Sequence, residues 1–268
     1  MYLKRWITGL AALPFLIYLI YWGGVPFTLL VTVGGLLALW EYFRIVNSSD
    51  DKTKFNILAV WGIIIGGGII WAAHLKGLEA VVVLVAFNFL FSAVFSLFKF
   101  KTDPEVMESI KKQLQGIIYI PVLISFLIII RQDTDGMIWI FFLLSIVFAG
   151  DISALYVGTY FGRHKLCPAV SPGKTIEGSL GGILANVVVG GIGKYFFLAQ
   201  LSWGLCILFF IAIGTAGQVG DLYESELKRS SNIKDSGGLL PGHGGFLDRI
   251  DALLFAAPVA YVFKMYIL

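Results

Sequence analysis

The sequence predicts an all-α, polytopic integral membrane protein with about nine transmembrane helices. Hydrophobic residues make up 58% of the 268 and charged residues only 14%, against roughly 45–50% and 25% in soluble domains. Two stretches, 6–40 and 195–220, contain no charged residue at all, and about 20 apolar residues suffice to cross the hydrocarbon core. No soluble linker or low-complexity segment interrupts the chain. A single integral membrane domain over 1–268 is expected, with a five-helix scaffold part at 1–131 and a four-helix part at 136–268 that carries most of the reactive residues.

Hydropathy with Gly, Pro and charge punctuation places the segments at 4–22, 26–46, 55–74, 78–98, 114–131, 136–162, 175–198, 203–229 and 247–267. The first is too long for the apolar region of a signal peptide, and no small-residue cleavage site follows it. Gly23-Gly24-Val25-Pro26 breaks it from the second. Segments six and eight exceed what a bilayer needs, so their ends should protrude. The connection from the fourth to the fifth, FKFKTDPEVMESIKKQ, is basic and amphipathic, as expected of a solvated or headgroup-facing segment. Cys167 and Cys206 lie far apart without CxxC or CxxH spacing, which argues against a disulfide scaffold and a zinc site.

Nine crossings send alternate loops to opposite sides. One side receives Lys4, Arg5, Arg44, Lys52, Lys54, Lys99, Lys101, Lys111, Lys112, Arg163, Lys165, Lys174, Lys228, Arg229, Lys234 and Arg249; the other receives Lys76, Arg131, Lys194 and Lys264. The 16-to-4 division of the 20 basic residues places the N-terminus and the richer loops in the cytoplasm by the positive-inside rule. Two of those loops, 163–175 and 230–246, are also rich in Gly, Pro and Ser.

Acidic residues flank the same loops. Asp151 lies about 22 Å along the sixth segment and Asp221 about 27 Å along the eighth, at 1.5 Å per residue. Asp248 and Asp251 fall in the opening turns of the ninth. All four therefore belong to the cytoplasmic third of a core roughly 30 Å thick. A charged Asp at mid-helix costs about 2.5–3.5 kcal/mol even on the lenient insertion scale, so such a group needs bases, water or a metal ion. Asp221, Glu224, Ser225 and Lys228 share one helix face by spacing, as do Asp248 and Asp251. Carboxylates are the hard oxygen ligands that Mg²⁺ takes, usually one or two with substrate phosphates and water. Structural ion pairing with Lys228, Arg229 and Arg249 is the alternative for any one of them.

The 163–175 loop ends in Ser171-Pro172-Gly173-Lys174-Thr175, like the tail of a phosphate-binding loop. Pro168 stands where the full motif needs its first glycine and no clear strand precedes it, so that motif is excluded. There remains a short turn with Lys174, opening a helix near Thr175 and suited to phosphate; Glu177 fits dipole capping of that helix. The 230–246 loop offers Lys234, five glycines and His243, with a hydrogen-bonding or phosphate role favoured for the histidine. Gly178, Gly182, Asn186 and Gly190 recur every four residues as a packing stripe, and Gly66-Gly67-Gly68 and Gly214/Gly217/Gly220 have the same character.

Residues 225–251, SELKRSSNIKDSGGLLPGHGGFLDRID, closely resemble the signature of phosphatidate cytidylyltransferases, also called CDP-diacylglycerol synthases. The family form is Ser-x-x-Lys-Arg, then Lys-Asp, then Pro-x-His-Gly-Gly-x-x-Asp-Arg-x-Asp, and its fixed positions are filled over these 27 residues. Asp151 to Gly162 and Ser171-Pro-x-Lys-Thr-x-Glu-Gly178 also look like family segments, with Gly173 where many relatives carry Lys. The first five helices match only as hydrophobic architecture.

The resemblance implies the reaction CTP plus phosphatidic acid to CDP-diacylglycerol plus pyrophosphate, dependence on Mg²⁺ with room for a second cation such as K⁺, and a homodimer. Its expected setting is the bacterial cytoplasmic (inner) membrane, with the site facing the cytoplasm and no nucleic-acid partner. Asp221, Asp248 and Lys228 are assigned to catalysis, and Asp221, Asp248, Asp251 and Asp151 to the metal. Ser171, Lys174, Thr175, Ser225, Arg229, Lys234, His243, Gly244 and Arg249 are assigned to substrate. A CDP-alcohol phosphotransferase or intramembrane prenyltransferase would carry D-G-x-x-A-R or Asp-rich D-x-x-x-D motifs, and neither occurs. A transporter would show acids nearer the midplane and internal repeats.

Overall fold

The computed structural model describes residues 13–47, 57–233, 237 and 244–268. They form α1 (Leu13–Trp22), α2 (Gly24–Val46), α3 (Ile57–Lys76), α4 (Leu78–Lys99), α5 (Val106–Gln132), α6 (Gly136–Phe161), α7 (Ile176–Phe197), α8 (Trp203–Ser230) and α9 (Leu247–Ile267). Eight of these are long and apolar enough to cross a membrane; α1 contributes ten described residues, and the start of the expected 4–22 segment lies outside the described set. The protein is an all-α polytopic membrane protein. Its outward faces carry large apolar side chains, Leu97 at 79% and Phe98 at 82% exposure among them, as a chain solvated by lipid requires.

Two compact units divide the chain: Met1–Asp133 with Ser231–Asp248, and Thr134–Ser230 with Arg249–Leu268. In the first, α1 and α2 are separated by a turn in which Gly23 (φ 70°) and Gly24 (φ 50°) both adopt the left-handed conformation that side chains disfavour. Arg131, at the end of α5, donates from Nε to Ile20 O (2.7 Å) and from its terminal nitrogen to Tyr21 O (2.9 Å). It thereby satisfies carbonyls that the end of α1 leaves open. The α5 helix begins at Val106, well before the expected 114. The basic connection itself coils, because Val106, Ile110 and Gln113 bury one face while the charges stay outside. Pro121 sits in a π-helical turn at Ile118–Val122; a wider turn accommodates the missing N–H and the bulk of the ring.

The second unit is built on close helix approach. The buried residues of α7 are Gly178, Gly182, Asn186, Gly190 and Lys194, so the four-residue stripe is its packing face. A Cβ on Gly178 would stand 2.7 Å from Ala154 O, and one on Gly182 2.9 Å from Gly150 O; small residues let the two backbones meet. Gly220 of α8 lies equally tight against the Asp251 backbone of α9. Ser179 Oγ donates to Gln218 Oε1, and Gln218 Nε2 returns a bond to Ser179 O at 2.9 Å, tying α7 to α8. Phe142 stacks on Phe209 at 6.0 Å, and Phe210 meets both rings edge-on at 5.8 Å.

The 163–175 segment is more ordered than a loop. Lys165–Cys167 (β1) and Ser171–Thr175 (β2) form an antiparallel hairpin, with Lys165 opposite Thr175 and Cys167 opposite Ser171. The alternation that marks longer strands is invisible over three and five residues, and Pro172-Gly173 argue against a strand on composition.

The glycine stripe makes a direct prediction. Gly182→Val should destabilise the protein by about 1–3 kcal/mol through overpacking, seen as a lower unfolding temperature in detergent. An unchanged unfolding temperature would mean that α6 and α7 do not approach so closely.

Candidate active site

The hairpin delivers Lys174 to the second unit's acids. Lys174 Nζ pairs with Asp221 Oδ2 at 2.6 Å, with the two side chains 26% and 40% exposed. The Lys174 ammonium is shielded from solvent and has no well-aligned hydrogen-bond acceptor. An ammonium carries three donors, so this lysine holds capacity for a further anion. Asp151, from α6, lies within electrostatic range of Asp221 and Lys174. Asp251, from α9, is within range of Asp221, Asp151 and Lys174; it is buried, and its Oδ1 accepts the Ala252 N–H at 2.8 Å.

Spacing alone put Asp221, Asp151 and Asp251 at one depth; the fold brings them around one lysine. On the next turns of α8, Lys228 pairs with Glu224, which is almost wholly buried. Ser225 is half-buried on the same helix, and Arg229 is exposed with Nε donating to Val170 O (3.3 Å) between the strands.

Local chemistry explains the hairpin's placement. Thr175 Oγ1 accepts the Gly178 N–H (3.1 Å), and Thr175 is the N-cap of α7. That oxygen accepts from the helix, and its O–H stays available as a donor. Glu177 accepts from the Arg163 N–H (3.0 Å) and the His164 N–H (3.2 Å) and pairs with His164 Nδ1 (2.6 Å). It clamps the start of the hairpin, a job beyond the dipole capping expected of it. Ser171 is half-buried on β2, and Gly173 is exposed with nothing within 4 Å of where a Cβ would stand. A side chain at 173 has room there.

In the first unit, the end of the 230–246 segment folds back on the start of α9. Gly244 takes a left-handed φ of 79°, and the Gly245 N–H donates to Asp248 Oδ2 at 2.9 Å. One oxygen of Asp248 is thus engaged by its own loop. Arg249 is exposed. Lys234 and His243 lie outside the described residues, as do Lys4, Arg5, Lys52 and Lys54 of the charge count.

Glu41, on α2, went unrecognised in the sequence. It is fully buried, and its Oε2 accepts the Leu247 N–H at 2.8 Å. A signal was present: Glu41 ends the uncharged run 6–40 and lies about 25 Å along its helix, comparable to Asp151 and Asp221. No motif marks it, because the first five helices carry only hydrophobic architecture.

Among the described residues, no three His, Cys, Asp or Glu side chains form a ready-made metal cage. The donor set still suits Mg²⁺. Asp151 and Asp251 both lie within electrostatic range of Asp221 and of its partner Lys174, so hard oxygen ligands from three helices are gathered near one another. One or two carboxylates completed by substrate phosphates and water is the usual arrangement for this ion.

The cytidylyltransferase family matches residues 3–267. A phosphatidate cytidylyltransferase of Bacillus subtilis (strain 168) is 31% identical over 275 residues, covering 96% of this chain and 96% of that protein. One from Brucella abortus biovar 1 (strain 9-941) is 34% identical over 260 residues, covering 97% and 92%. One from Staphylococcus epidermidis is 41% identical over 136 residues, covering 51% and 52%. The similarity thus runs through α1–α5, further than the motifs reach. This chain belongs to the phosphatidate cytidylyltransferase family, and so to the nucleotidyltransferases.

Proposed function

We propose that this protein transfers the cytidylyl group of CTP to phosphatidic acid, giving CDP-diacylglycerol and pyrophosphate, at the cytoplasmic face of a bacterial inner membrane. The observation that carries the proposal is the Lys174–Asp221 pair among membrane-embedded acids, in the last third of the helix on which the 225–251 signature begins. One substrate is a soluble polyanion and the other is anchored in lipid. A site near one leaflet admits both.

In this mechanism a phosphate oxygen of phosphatidic acid attacks the α-phosphorus of CTP. The new P–O bond forms as the bond from the α-phosphorus to the bridging oxygen breaks, and its electron pair departs with pyrophosphate. No protein base is needed, because the lipid phosphate is already anionic near neutral pH. The protein's task is positioning and charge neutralisation. Lys174 turns its unspent N–H donors to a phosphate. Lys228, held by Glu224, and Arg229, Lys234 and Arg249 hold the remaining phosphate oxygens, with Ser171, Ser225, His243 and Gly244 donating hydrogen bonds. Thr175 contributes by fixing the end of β2 on which Lys174 sits. Asp221 and Asp248, with Asp251 and Asp151, would hold Mg²⁺, which when bound neutralises charge developing on the phosphates. K⁺ as a second cation and a homodimer complete the proposal. The 16-to-4 basic split supports the orientation.

Asp221→Ala and Asp248→Ala should each lower Mg²⁺-dependent turnover by on the order of 10²-fold or more while the protein stays folded in detergent; near-normal rates in either would remove that residue from the assignment. Purified protein given labelled CTP and phosphatidic acid should form CDP-diacylglycerol, whereas product only with another lipid phosphate would redirect the substrate assignment. With Cys167 and Cys206 replaced by serine, Gly173→Cys should react with a membrane-impermeant maleimide in inside-out vesicles and stay protected in intact cells. The opposite pattern would invert the topology.

A further inference from the structure

We infer that Glu41 is a positioning residue that holds the start of α9 at Leu247 and thereby fixes Asp248. The expected effect on turnover rests on the cytidylyl-transfer proposal above; the geometry stands apart from it.

Glu41 is the only acid in α2, and its side chain is fully buried. An acid inside a spanning helix is costly without a dedicated partner. Here Oε2 accepts the N–H of Leu247, itself 0% exposed, at 2.8 Å. The second oxygen, Oε1, lies where a Cβ on Gly237 would strike it. One carboxyl group therefore meets the signature segment at two points, 237 and 247. Seven residues earlier on the same face of α2, Gly34 makes room for the Phe246 ring, which a Cβ there would approach to 2.8 Å. α2 thus presents a small-residue seat for Phe246 and an acceptor for Leu247.

The next residue is Asp248, whose Oδ2 is held by the Gly245 N–H. Gly244 reaches its left-handed φ of 79° immediately before. The carboxylate assigned to metal binding is thus fixed by a short turn, and that turn is anchored through Leu247 to Glu41. Simple stabilisation of the α9 N-terminus would use the same Leu247 bond. It would not require a glycine at 237, nor would it link Glu41 to the rate of the chemical step.

The test compares wild type, Glu41→Ala, Glu41→Gln and Gly237→Ala, each purified in detergent, by hydrogen–deuterium exchange over 244–250 and by steady-state kinetics. Glu41→Ala should speed exchange in that peptide and lower kcat about 10–100-fold, as loss of outer supports does at metal sites, with little change in KM for CTP. Glu41→Gln keeps an acceptor for the Leu247 N–H and should recover most of the protection and part of kcat. Gly237→Ala should impair wild type more than it impairs Glu41→Ala, since truncation removes the atom it would strike. Unchanged exchange in Glu41→Ala, or Glu41→Gln as damaged as Glu41→Ala on both readouts, overturns the inference. Should Glu41→Ala fail to fold, Gly237→Ala alone decides: faster exchange at 244–250 with lower kcat upholds the inference, and wild-type behaviour overturns it. If wild type makes no CDP-diacylglycerol, the functional proposal fails, while the exchange data still judge Glu41.

Discussion

A carboxyl group inside a membrane protein must meet a donor or a cation, because hydrocarbon offers neither. Much of the site's structure is organised around that requirement. Asp221 meets Lys174, Glu224 meets Lys228, Glu41 meets the Leu247 N–H and Asp248 meets the Gly245 N–H. Each partner comes from a different kind of element: a hairpin strand, the same helix one turn on, the first residue of another helix, and a glycine turn. The pairings fix these elements where apolar packing alone would leave them free to slide.

Close backbone approach makes those pairings possible. The glycine stripe of α7 lets α6 come near enough for Asp151 to feel Asp221 and Lys174. Gly220 does the same between α8 and the Asp251 backbone. Bulkier residues would push the helices apart, and the acids would no longer gather near Lys174. Interhelical bonds such as Gln218 to Ser179 then fix the register. The scaffold and the chemistry therefore depend on the same small residues.

The β1–β2 hairpin shows how a polar segment becomes a tool. Glu177 gathers the backbone of Arg163 and His164, and Thr175 caps α7. Between these two fixed ends, β2 carries Lys174 to the acids. The segment that resembles the tail of a nucleotide-binding loop thus supplies its lysine from a strand edge; the helix N-terminus behind it is already capped.

Composition and period determined the class of fold and most helix limits, because a spanning helix must be apolar for about 20 residues and the chain writes that requirement openly. The signature of 225–251 named the family, and helical spacing found the acids at one depth. Tertiary structure alone decided which groups pair. That Lys174 meets Asp221, that Thr175 caps α7, and that Glu41 holds the start of α9 are contacts between residues 3 to 206 positions apart. One-dimensional patterns report burial and period, whereas partner choice depends on which faces the packed backbones turn toward each other. Glu41 is the clearest case: its charge was visible beside an uncharged run, but its purpose appears only where the chain returns to it more than 200 residues later.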